Sequence, residues 1–155
     1  MPTKNLTTFE TLVTPSFTFG SVANGAGRIT AVIVNTTTRA RSVLVAVRIT
    51  TGATAPTAGA PYKVGLVRRS AGSPDVSDDG LGTADAAVAT EPVQVEWLGA
   101  IYARASTATQ LNGTFVANEP GPQYSVVVFN NSGQTVSTTN GDHLVQVLPI
   151  TDEGQ

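Results

Sequence analysis

His143 is the only histidine among 155 residues, and the chain has no cysteine. Those two facts exclude a multi-histidine zinc site, thiolate chemistry and disulfides. No G-x-S-x-G elbow is present, and no serine stands near His143 in a recognisable nucleophile motif. Gly25-Ala26-Gly27 is a fragment of a dinucleotide fingerprint without the strand–loop–helix context that such a loop needs. Two-carboxylate hydrolysis requires paired acids beside aromatic walls. Glu91 and Glu96 stand beside Trp97, with Tyr102 following, and solvated glutamates around a core or interface tryptophan are the plainer reading. Asp75, Asp78, Asp79 and Asp85 supply oxygen ligands of the type calcium prefers, but their spacing does not match an EF-hand. The expectation is a non-enzymatic protein with no metal and no cofactor.

Charge narrows the partners. Charged residues make up 13% of the chain, against about 25% in ordinary soluble domains. A pI of about 5.2 gives no basic footprint for nucleic acid. No apolar run reaches the roughly 18 residues of a membrane span. The opening Met1-Pro2-Thr3-Lys4-Asn5-Leu6 lacks the apolar core of a signal peptide. The asparagines of four glycosylation sequons, at Asn5, Asn35, Asn112 and Asn130, are expected chance matches in so threonine-rich a chain. The charge is unevenly placed: residues 1–70 sum to +7 and residues 71–155 to −9. Two outcomes follow from that split. Opposed patches could join copies of the subunit, or the halves could interleave and cancel.

Valine, alanine and threonine dominate, and fifteen glycines and nine prolines punctuate short segments. β-Branched residues fit a pleated, half-buried surface. Val43, Val45, Val47 and Ile49 alternate along one strand face, with Leu44 and Ala46 making the other face partly apolar. Arg28–Val34 and Arg41–Thr50 read as a hairpin, and Val93–Ala105 as a strand broken at Gly99. A short helical turn is expected near residues 84–89. The fold class is all-β: an antiparallel β-sandwich of about eight strands, sandwich or jelly roll. Residues 1–22, with Leu6, Phe9, Leu12 and Phe17 among threonines, read as an extended N-terminal arm; the alternative is an ordinary first strand. Residues 23–155 form the sandwich domain.

The segment ‘RITAVIVNTTTRARSVLVAVRITTGATAPTAGAPYKVGLVRR’, then ‘DVSDDGLGTADAAV’, then ‘GPQYSVVVFNNSGQTVSTTNGDHLVQVLPI’ resembles head decoration, or cement, proteins of tailed bacteriophages. The resemblance covers most of residues 28–150 and rests on strand order and composition. It implies a jelly-roll-like subunit, made in the host cytoplasm, that trimerises on the outer capsid surface of the virion and clamps the major capsid protein. It implies a contact role for an apolar arm, hence for Leu6, Phe9, Leu12 and Phe17. Related sandwiches in head or tail fibres bind receptor or carbohydrate, for which Trp97, Tyr102 and Tyr124 are the candidate platforms.

Overall fold

The computed structural model describes residues 5–70 and 83–154. Asp75, Asp78 and Asp79, and the side chain of Leu6, lie outside the described part. Ten strands follow one another: β1 (Asn5–Phe9), β2 (Ala26–Ile29), β3 (Ile33–Val34), β4 (Ser42–Thr50), β5 (Pro61–Arg69), β6 (Ala86–Val88), β7 (Glu96–Tyr102), β8 (Gln110–Asn118), β9 (Gln123–Asn130) and β10 (Leu144–Gly154). Sheet A has the order β1-β10-β4-β8. Sheet B has the order β6-β2-β9-β5-β7, with β3 also on β9. All pairings are antiparallel.

With β2 and β3 counted as one interrupted strand and β6 as an addition at the edge, this is the order of an eight-stranded jelly roll. The expected all-β sandwich is therefore present, with ten strands where about eight were anticipated. The interruption has a local cause. Thr30 turns its hydroxyl to accept from the Val126 amide at 3.0 Å. The next two amides leave β9 and donate to Ser16 and Thr83.

Every ladder joins a strand from the first half of the chain to one from the second. The expected hairpin of Arg28–Val34 with Arg41–Thr50 does not form, because these segments lie in different sheets. Asn35 fixes the crossing between them. Its Nδ2 donates to the Ala40 and Gly121 carbonyls at 3.1 and 2.9 Å, and its Oδ1 accepts from the Ala40 amide.

The main core lies between the sheets, built from Val43, Val45, Val47 and Ile49 of β4, Tyr62, Val64 and Leu66 of β5, Tyr124, Val126 and Val128 of β9, and Val145 and Val147 of β10. Inward valines at every second position are what the period of two requires.

The N-terminal segment is extended but laid on its own sandwich. β1 pairs with β10 from Asn5↔Gly154 to Phe9↔Ile150, and Val13 bridges Val147. Phe19 is fully buried and stacks on Phe17, with ring centroids 5.1 Å apart.

Residues 84–89 carry the three-residue strand β6 instead of a helical turn. Asp85 positions it. Arg28 Nε donates to its Oδ1 at 2.5 Å, and the Thr18 hydroxyl donates to its Oδ2. Burial opposes ionisation of Asp85, but the Arg28 guanidinium and the Thr18 hydroxyl outweigh it and hold the carboxyl below its ordinary value. The ionised form is therefore the folded form. Its stabilisation is complete above the unfolded value near 3.9 and is lost as pH falls through the folded one.

Two outcomes are expected in urea denaturation. Phe19→Ala should cost about 3–5 kcal/mol, the range for emptying a buried aromatic site. Asp85→Asn should cost about 1–3 kcal/mol at neutral pH and nothing further in strong acid.

Candidate interaction surface

The two outer faces of the sandwich differ. On sheet B, Ile29, Val67, Val127 and Phe129 point away from the main core but are buried beneath Val88 and Val95, with Ala86 and Trp97 alongside. The chain just before β7 lies over this face. It passes so close that a Cβ on Gly65 would collide with Val95.

The outer face of sheet A has no such roof among the described residues. Register and alternation place on it Leu144, Gln146, Leu148 and Ile150 of β10, Leu44 and Ala46 of β4, Thr114 and Val116 of β8, and Phe9 of β1. Leu148, Leu44 and Val116 are direct neighbours across three strands, and Phe9 stands opposite Ile150. Phe9 is 64% and Val116 57% exposed. Charge enters this face only toward its ends, as Arg48 on β4 and Asp152 on β10. Phe9 and Val116, with the half-buried Leu44, Leu148 and Ile150 between them, make this face the candidate interaction surface.

Of the four arm residues singled out, Phe9 lies on this face and Leu12 is exposed, whereas Phe17 packs against the core. Phe9 and Leu12 thus present their side chains to solvent, and Phe17 is half-buried. Sequence patterning showed Leu44 and Ala46 as apolar on the second strand face. It did not show that β10 and β8 extend that face, because partner strands are not visible in a local pattern.

The other candidate residues separate. Tyr124 is a core side chain whose phenol is pushed up to about 12 by burial. Trp97 is half-buried with the Lys63 ammonium 5.6 Å from its ring centre. Tyr102 is 66% exposed beside a groove of about 520 Å³ between β7 and β8. Glu91 pairs with Lys63 at 2.5 Å, and Glu96 pairs with Arg68. These two bridges and Arg28–Asp85 each join a base of the first half to an acid of the second. Where these pairs form, the halves interleave and their charges cancel locally.

Asp85, committed to Arg28 and Thr18, is the one described member of the aspartate group. Asn35 and Asn130 are buried, so two of the four sequons are closed in the folded chain.

His143 closes one end of the sandwich. Its Nδ1 accepts from the Thr50 amide at 3.3 Å, and its Nε2 donates to the Ser137 carbonyl at 3.1 Å. The Ser137 hydroxyl donates to Asp142 at 2.6 Å, so serine, histidine and aspartate are not linked in relay order. Burial is the largest influence on the ring and pulls its pKa below the ordinary value, with Arg48 acting in the same direction.

No family model matches the chain, and neither a curated protein nor a solved structure shows significant similarity to it.

Because the folded state holds His143 neutral, the unfolded chain takes up its proton first as pH falls. Stability should therefore decline below about pH 6.5 and level off once the folded-state pKa is passed. Melting curves from pH 7.5 to 5 should show that decline, and His143→Gln should flatten it while lowering the melting temperature throughout.

Proposed function

We propose that this chain is a structural virion protein that decorates and cements the outer surface of an icosahedral phage capsid, binding the major capsid protein through the outer face of sheet A. The observation that carries the reading is the open apolar face bearing Phe9, Leu44, Val116, Leu148 and Ile150, set against a sheet B face roofed by its own chain. The sequence resemblance to decoration proteins and the jelly-roll strand order support the same reading. The strand order alone does not, since this fold hosts many functions.

Attachment would work by area and number. Apolar area removed from water contributes roughly 25 cal/mol per Å² before the costs of association. Several linked copies raise the effective concentration, so weak single contacts become a tight clamp. A ligand that binds the intact shell and not its ruptured form stabilises the shell by mass action.

A second reading, a fibre module binding receptor or carbohydrate, retains one of its three aromatic platforms, Tyr102. It stands beside the amides of Gln110 and Asn112 and the Arg104 guanidinium in the β7–β8 groove. Glycan-array binding abolished by Tyr102→Ala would favour it.

The test is rupture of purified capsids, stripped of the protein and then reloaded. Wild-type chain should bind and raise the rupture temperature. Phe9→Asp and Leu148→Gln should stay folded and lose at least tenfold in binding, about 1.4 kcal/mol. No binding by the wild type, or full binding by both variants, would defeat the proposal.

A further inference from the structure

Strand β8 is the outer strand of sheet A, paired on one side only, with β4. A long exposed edge is normally blunted by charge, proline, a bulge or shortness. β8 has none of these. It runs nine residues, QLNGTFVAN, without a charge or a proline. Its register with β4 is continuous from Ser42↔Asn118 to Thr50↔Gln110. The other edges are protected: β6 has three residues, β1 has five, and β7 carries Glu96 and a register shift at Val64/Gly65. A groove of about 520 Å³ runs between β7 and β8.

The phase of its hydrogen bonds is fixed at both ends. Glu119 donates to the Arg41 carbonyl at 2.6 Å, and Thr51 donates to the Thr109 carbonyl at 3.0 Å. Antiparallel pairs alternate between bonded and non-bonded, so the odd residues of β8 face β4. The backbone groups of Gln110, Asn112, Thr114, Val116 and Asn118 therefore face the free edge. Among the described residues, the Asn118 carbonyl there accepts from the Arg68 guanidinium at 3.0 Å.

We infer that β8 pairs antiparallel with β8 of a second copy, about a two-fold axis at Thr114. Thr114 is the middle residue of the strand, and it belongs to the edge-facing set. Full overlap of the two strands and correct hydrogen-bond phase thus coincide: Thr114 opposes Thr114, Asn112 opposes Val116, and Gln110 opposes Asn118. The strand itself brings no charge to the pairing. The product is a continuous eight-stranded sheet whose outer face carries two copies of the apolar surface side by side. It assembles in twos, where the resemblance implies threes, and it does not depend on capsid binding.

Sedimentation velocity over a concentration series tests this in solution. Wild-type chain should reach the mass of two 15.9 kDa subunits. Thr114→Lys sets like charges on the axis and should raise the dissociation constant at least tenfold, with an unchanged melting temperature at concentrations where both chains are monomeric. Gln146→Lys, on the same face but away from the edge, should leave the dimer intact. Because the chain lacks cysteine, Thr114→Cys gives an independent readout. Bonded antiparallel pairs hold Cα atoms about 5.5 Å apart, within reach of a disulfide. Mild oxidation should link Thr114→Cys into pairs and leave Gln110→Cys unlinked. A single-chain mass throughout, a three-chain mass indifferent to Thr114→Lys, or equal cross-linking of the two cysteine variants would overturn the inference.

Discussion

The pairing of strands distant in sequence is the constraint on which the rest of this structure depends. Each ladder brings a strand of residues 1–70 against one of residues 83–154. That wiring places basic residues of one half beside acidic residues of the other, as in Arg28–Asp85, Lys63–Glu91 and Arg68–Glu96. It also means that no local segment is stable alone. Loop-closure entropy must be met before any ladder forms, so folding on the slow side, milliseconds to seconds, is expected for such a topology.

The same wiring makes the two outer faces unequal. On the outer side of sheet B, Val88 of β6, Val95, and Trp97 of β7 pack with Ile29, Val67, Val127 and Phe129 of β2, β5 and β9. No described connection crosses the outer face of sheet A, which keeps Leu44, Leu148, Ile150 and Phe9 in contact with solvent. A chain of low charge density can present such a face to a partner without stripping water from ions. The polar clusters, by contrast, act at the ends of the sandwich. Asn35 ties one crossing, and His143 with Thr50 and Ser137 ties another.

Much of the strand content was legible in the sequence because alternation is a local property. Val43 to Ile49 showed it directly, and the break at Gly99 falls where β7 shifts register against β5. Partner choice was not legible. Two consecutive valine-rich strands read as a hairpin, yet the crossing fixed by Asn35 sends them to opposite sheets. Phe19 looked like part of an arm because threonines and a proline surround it; only the assembled sandwich shows that its ring fills the core beside His143. Residues 84–89 read as a helical turn, and the Arg28–Asp85 contact sets Ala86–Val88 into a strand instead. The apolar outer face was half visible, in Leu44 and Ala46. Its extent depended on β10 and β8 flanking β4, which no spacing rule encodes.

The claim at the centre of this account is that the chain works by attachment through one sheet face. The most direct measurement is a cryo-electron microscopy reconstruction of purified particles carrying the protein, at a resolution that separates the two sheets. The account predicts density on the outer shell with sheet A turned toward the capsid and the roofed face of sheet B toward solvent. Particles without the protein, or a subunit seated on its sheet B face, would contradict it.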